Sequence, residues 1–135
     1  MNKVTIQERE ICFELDKTDF TAEVINSPYA RGYLYISHSI EYQSQQYRIT
    51  KIKEGSFKNN STINSVRFHN DSVLSSIQKK AFSFSKIKNI FIPASVVELE
   101  DGWCKSTYNL TNVSISPENL NFKYLDKDQK IIVGK

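Results

Sequence analysis

The chain has 135 residues, a hydrophobic share of 39%, a charged share of 24% and a formal net charge of +3. This size and balance fit one ordinary soluble domain rather than two large ones, and no apolar run reaches the roughly 20 residues that cross a bilayer. The basic residues are scattered, so we expect no nucleic-acid partner; a salt titration without a steep fall in affinity would dismiss that alternative.

The N-terminal third predicts β-strands joined by turns, because short apolar runs are separated by turn-prone residues. These runs are Ile11–Leu15, Phe20–Ile25, Tyr33–Ile36 and Tyr47–Ile52. Tyr42 and Tyr47 flank a polar bend that suits a short hairpin. We expect residues 1–32 to form an N-terminal β-strand cap for the rest of the chain.

One motif then recurs at a nearly constant spacing. Phe57, Phe82 and Cys104 occupy equivalent positions, separated by 25 and 22 residues. Each precedes an apolar segment of one pattern: Ile63-x-x-Val66-x-Phe68, Ile87-x-x-Ile90-x-Ile92 and Leu110-x-x-Val113-x-Ile115. A period in the twenties is typical of a stacked solenoid, in which each coil buries its apolar side against its neighbours.

The repeat extends back towards the N-terminus. Tyr35–Ile40 matches Phe91–Val96 almost position for position, which places the start of the repeats near residue 33. We therefore expect three to four coils over residues 33–118.

Alternation within each apolar segment predicts which side chains face the core. Val66 and Phe68 point inward, whereas Ser65 and Arg67 point outward. Stacked coils would align these segments into a parallel sheet on one side, and Ala81–Phe82 suits a helical turn on the opposite side. The predicted class is a β-rich α/β fold, a right-handed solenoid with a parallel strand face.

After Ile115 the pattern changes to a β-hairpin. Apolar segments at 121–125 and 130–133 bracket a polar turn at 126–129. The segment 119–135 is therefore predicted to be a C-terminal cap, or else the chain is a fragment of a longer array. The second interpretation is slightly favoured, because few residues remain to shield Ile131 and Val133.

These repeats resemble the BspA-like leucine-rich repeat family, whose coil reads apolar-x-x-Ile-x-Ile-Pro-x-Ser-Val and ends in Ala-Phe. Ile87–Leu99 is the best copy of the first half, and Ile77–Phe82 supplies the Ala-Phe half. Ser56 and Trp103 replace the alanine in their coils, and Cys104 replaces the phenylalanine. These departures affect local packing more than the fold. The resemblance covers residues 33 to about 118.

The resemblance implies a non-catalytic binding module, a fragment of a cell-surface antigen or adhesin that recognises host or microbial macromolecules. Its partner would be a protein or a surface glycan, and its location the cell surface or the secreted fraction. No signal peptide is visible at the N-terminus, which favours the alternative of a cytoplasmic protein–protein interaction scaffold with the same fold.

The outward side chains of the predicted strand face are the best binding candidates. They are Ser65, Arg67, His69, Asn89, Phe91, Asn112 and Ser114. An exposed aromatic Phe91 beside Arg67 would form a hot-spot pair, because aromatic residues and arginine concentrate binding energy. The competing interpretation is that Phe91 is covered by its neighbours or serves strand propensity alone.

No pattern predicts catalysis, a cofactor or a metal site. His38 and His69 follow their strands at neighbouring offsets, but no third ligand has a suitable spacing, so we interpret both as surface turn residues. Cys12 and Cys104 lie in different modules, and Cys104 is interpreted as a small buried hydrophobe. Five asparagines in Asn-x-Ser/Thr contexts are interpreted as turn residues rather than glycan acceptors: Asn59, Asn60, Asn70, Asn109 and Asn112.

Overall fold

The computed structural model describes residues 2–124 and 132–134. The strands are β1 (Lys3–Glu8), β2 (Ile11–Asp16), β3 (Thr21–Val24), β4 (Gly32–Ile36), β5 (Ser39–Tyr42), β6 (Gln45–Ile52), β7 (Ile63–Phe68), β8 (Ser76–Ile77), β9 (Asn89–Ile92), β10 (Glu98–Leu99), β11 (Asn112–Ile115), β12 (Phe122–Tyr124) and β13 (Ile132–Gly134). No helix occurs within these described residues.

A parallel four-stranded sheet in the order β11-β9-β7-β4 forms one side of the solenoid. Its strands stack in register, with Val66 opposite Leu34 on one side and Ile90 on the other. Ile90 in turn lies opposite Val113. Equivalent residues of successive coils are therefore neighbours, which confirms the predicted solenoid with a parallel strand face.

The second side of the solenoid is built from short parallel strands. β6, β8 and β10 pair in sequence, and Ile77 lies beside Ile52 and Leu99. Ile52 and Ile77 are fully buried. The space between the two sheets is the hydrophobic core, and each side chain that is fully buried there contributes about 1.5–3 kcal/mol to stability by leaving water.

The inward pattern predicted for the strand face is present in the core. Val66, Phe68, Ile90 and Ile92 are each no more than 4% exposed. The equivalent residues of the last repeat, Val113 and Ile115, are partly buried and pack against the same core.

The helical turn predicted at Ala81–Phe82 is wrong. The segment forms consecutive four-residue turns, with the Ser83 N–H donating to the Lys80 carbonyl at 3.1 Å. Other backbone groups pair with the adjacent coil, because the Phe57 N–H donates to the Ala81 carbonyl at 2.8 Å. In a helix these N–H groups would donate along the helix axis, within the segment itself. The hydrogen bonds to the adjacent coil therefore exclude a helix here.

The N-terminal block continues the second sheet. β1, β2 and β3 form an antiparallel meander, and β3 then pairs in parallel with β6. The strands predicted at Ile11–Leu15 and Phe20–Ile25 correspond to β2 and β3, whereas β1 was not predicted. The boundaries of a separate cap at 1–32 and of the repeats at 33–118 stay predictions.

The predicted tyrosine hairpin is present as β5 and β6. Its turn consists of Gln43 and Ser44, which have φ angles of 50° and 64°. Two residues with positive φ are what a type I′ hairpin turn requires.

A second antiparallel pair lies at the C-terminus. Phe122 of β12 lies opposite Gly134 of β13, as the predicted hairpin requires. The predicted turn at 126–129, with Leu125, Lys130 and Ile131, lies outside the described residues, and the capping role of 119–135 stays a prediction.

Candidate binding face

The strand face is defined by the outward side chains of β4, β7, β9 and β11. One row crosses all four strands, because Tyr33 pairs with Ser65, Ser65 with Asn89 and Asn89 with Asn112. The second row runs through Tyr35, Arg67, Phe91 and Ser114. Parallel stacking thus converts a sequence repeat into a regular two-row array of side chains.

A shallow groove of about 500 Å³ crosses this face. It is lined by six of the seven predicted residues, Ser65, Arg67, Asn89, Phe91, Asn112 and Ser114, together with Tyr33. The backbone of the buried strands fixes the spacing of these side chains in advance, so little ordering entropy would be lost when a partner binds.

Arg67 and Phe91 form the centre of the groove. The Arg67 guanidinium carbon lies 6.0 Å from the centroid of the Phe91 ring. This separation is at the outer limit of a cation–π contact. Phe91 is half-buried and Arg67 is exposed, so the pair presents one flat apolar surface and one charge to solvent.

Ser65 lies on the strand face and lines the groove, but it is only 7% exposed. It lies between Tyr33 and Asn89 in its row. A short side chain between two larger ones forms the floor of a groove rather than part of its rim. Ser65 therefore limits the depth of the groove and is poorly placed to reach a partner.

His69 lies outside the groove, in a cluster beyond the ends of the strands. Its ring centroid is 5.3 Å from that of His38 and 6.3 Å from that of Tyr35. Its Nδ1 accepts a hydrogen bond from the Asp71 N–H at 3.0 Å. The structure thus brings the two histidines together, but it separates His69 from the other six predicted face residues.

The sequence matches the model of the BspA type leucine rich repeat region in six copies over residues 31–127. The chain belongs to this BspA-type leucine-rich repeat family. A comparison with curated proteins found no match.

Two solved structures resemble this BspA-type chain in fold. The pneumococcal vaccine antigen PcpA has a TM-score of 0.58 and 15% identity over 87% of this chain and 39% of its own. A leucine-rich repeat protein from Bacteroides capillosus has a TM-score of 0.54 and 24% identity over 83% of this chain and 98% of its own. The chain thus spans about two-fifths of the PcpA structure.

Two tyrosines of the first BspA-type coil were missed as members of the strand face. Tyr33 is 80% exposed and Tyr35 is 56% exposed. The signal was in the sequence, because equating Leu34 and Ile36 with Ile90 and Ile92 places the two tyrosines in the outward positions.

No group of three or more His, Cys, Asp or Glu side chains that could hold a metal ion occurs within residues 2–124 and 132–134. In the same described part of the chain, no helix has the length and apolar character of a membrane span.

Cys104 is half-buried at the position where earlier coils carry a phenylalanine. Burial raises the pKa of its thiol from 9.0 to about 11, because the thiolate loses hydration. The thiol therefore stays protonated at neutral pH. Because the pKa of this thiol is higher in the folded chain than in the unfolded chain, its contribution to the free energy of unfolding is fully present below pH 9. That contribution is lost as the pH rises towards 11.

We expect Cys104 to react slowly with iodoacetamide in the folded Cys12→Ser variant at pH 8. The thiolate fraction falls by about 100-fold for two pKa units, but a more basic thiolate is also more nucleophilic, so the net slowing relative to the chain in urea is about tenfold. Alkylation rates followed by mass spectrometry measure this ratio. Equal rates in the folded and urea-unfolded chains would contradict the burial of this thiol.

Proposed function

We propose that this BspA-type chain is a non-catalytic module of a cell-surface or secreted protein and that it binds a macromolecular partner through the strand face. The observation that carries the proposal is the groove in which Arg67 lies over Phe91, beside tyrosine, asparagine and serine side chains of the same face. Aromatic residues and arginine are enriched at protein interfaces. The membership of the family supports a protein as the partner, and a surface glycan is the other candidate.

Replacing Phe91 by Ala should weaken binding of a partner at the strand face by about tenfold or more, because buried aromatic anchors dominate interface energies. Surface-biotinylated membrane proteins from human epithelial cells provide the test, captured on the immobilised module and quantified by biotin signal. Phe84→Ala is the matched control, because Phe84 is 53% exposed but lies in the turns between coils, outside the groove.

The two variants distinguish specific binding at the strand face from non-specific hydrophobic binding. Loss of capture by Phe91→Ala with full capture by Phe84→Ala supports the proposal. Equal capture by the wild-type protein and both variants would refute a role for the strand face. Labelling of intact cells that express the natural protein, with a membrane-impermeant reagent, distinguishes a surface location from the cytoplasmic scaffold alternative.

A further inference from the structure

The strand face carries one formal charge. Among its eight outward side chains, only Arg67 is ionised at neutral pH; the others are tyrosine, serine, asparagine and phenylalanine. Arg67 forms no hydrogen bond or ion pair with any side chain in the described part of the chain, unlike Arg31, which pairs with Glu10 at 2.8 Å. The centre of the groove is therefore an uncompensated cation.

The groups around Arg67 favour the binding of a planar anion such as a carboxylate. The guanidinium group is planar and offers donors along its edge in a fork that matches a carboxylate. Phe91 lies to one side of the group at 6.0 Å. Asn89 and Asn112 add amide donors in the neighbouring row of the same groove, and no carboxylate of the described chain lines the groove to repel an anion.

We propose that the partner presents an acidic, extended peptide segment to this groove, with a carboxylate of Asp or Glu on the Arg67 guanidinium. This inference rests on the proposed function and specifies the chemistry of the partner. The groove crosses four strands, a width of about 14 Å at the usual spacing between strands. About four residues of extended chain cover that distance.

Two other anionic polymers fit the face less well. A nucleic acid is held by several phosphate contacts at once, and the strand face offers one cation. An acidic glycan could place one carboxylate on Arg67, but the Tyr, Phe and Arg composition of the face is that of a protein hot spot. The acidic peptide is therefore the occupant that the charge and the composition together favour.

The test is panning of a random 12-residue phage-displayed peptide library on the immobilised protein. Peptides that depend on Phe91 should be enriched in Asp and Glu, and Arg67→Gln should weaken the selected peptides by about tenfold or more, the worth of a charge-assisted hydrogen bond. Arg67→Glu should reverse the preference and select Lys and Arg. Arg48→Glu is the matched control, because Arg48 is exposed on the second sheet, and it should leave the selection unchanged.

The outcomes separate this inference from the proposed function. Peptides that depend on Phe91 but carry no excess of Asp or Glu overturn the acidic partner and leave the strand face as a binding site. The absence of any peptide that depends on Phe91 overturns both for peptide partners. Binding of polygalacturonate or of a single-stranded oligodeoxynucleotide that depends on Arg67, without enrichment of acidic peptides, overturns the peptide in favour of a glycan or a nucleic acid.

Discussion

Replacing Phe82 by Ala should lower the free energy of unfolding by about 3–5 kcal/mol, the usual cost of removing a buried aromatic ring. Phe82 is fully buried. Its ring stacks on Phe57 with the centroids 5.1 Å apart, and it forms a T-shaped contact with Trp103 at a centroid distance of 6.5 Å. The substitution therefore removes the middle of a column that joins three successive coils.

The backbone around Phe82 prevents the gap from closing. The N–H groups of Phe57 and Phe82 donate to the carbonyls of Ala81 and Trp103, each at 2.8 Å. These hydrogen bonds fix the distance between coils, so neighbouring side chains can relax only slightly into the space. Poor relaxation places the cost in the upper part of the usual range for large-to-small substitutions.

Urea unfolding followed by fluorescence provides the measurement, because Trp103 is the only tryptophan and contacts the Phe82 ring. Phe84→Ala serves as the control: Phe84 is 53% exposed, and its truncation should change stability by about 0.5 kcal/mol or less. If Phe82→Ala costs no more than Phe84→Ala, the stacked column does not contribute to stability as inferred.

The solenoid could be predicted because its coils repeat the same local pattern. Val66, Ile90 and Val113 occupy equivalent positions in sequence, and stacking makes equivalent positions spatial neighbours. The sequence repeat and the alternation of inward and outward residues therefore contain most of the information about the strand sheet. A fold without such repetition would need long-range pairings that one sequence does not reveal.

The elements that the sequence did not predict depend on their neighbours. β1 carries only two apolar side chains on its alternating face, Val4 and Ile6, both partly buried. Its pairing with β2 decides its structure. The turns around Ala81 were predicted as a helical turn because their apolar spacing fits one, but hydrogen bonds to adjacent coils determine the backbone there.

In the candidate site, too, some features follow from the local sequence pattern and others depend on neighbouring residues. Outward positions of Arg67 and Phe91 follow from alternation alone, and the structure places the two side chains together. The burial of Ser65 could not be predicted from alternation, because it depends on the larger Tyr33 and Asn89 on either side. Whether any of these residues binds a partner stays a prediction.

The side chain of Asn60 fixes the start of β7 through hydrogen bonds that the sequence analysis did not predict. Its Oδ1 accepts from the N–H groups of Thr62 and Ile63 at 2.8 and 2.9 Å. Its Nδ2 donates to the Ala30 carbonyl of the preceding coil at 2.8 Å. Asn60 is 7% exposed, so in the folded chain its amide is committed to these contacts rather than available as a glycan acceptor.

Asn119 repeats this arrangement at the far end of the solenoid. Its Oδ1 accepts from the N–H groups two and three residues later, those of Asn121 and Phe122, and its Nδ2 donates to the carbonyls of Pro93 and Val96. The recurrence indicates that a buried asparagine is a structural device of this chain, which joins the start of a strand to the coil before it.

Replacing Asn60 by Ala should lower the free energy of unfolding by about 3 kcal/mol. The change deprives the buried N–H group of Ile63 and the part-buried N–H group of Thr62 of their acceptor, and a buried group without a partner costs about 1–3 kcal/mol. The Ala30 carbonyl keeps the Thr62 hydroxyl as a donor at 2.8 Å, so the loss of its bond from Asn60 adds less to the destabilisation.

Asn70→Ala is the control, because Asn70 is exposed in a turn and the variant should stay within about 0.5 kcal/mol of the wild-type protein. Urea unfolding measures both variants; if Asn60→Ala is no less stable than Asn70→Ala, water or a local shift satisfies the two N–H groups and the asparagine does not hold the coils together.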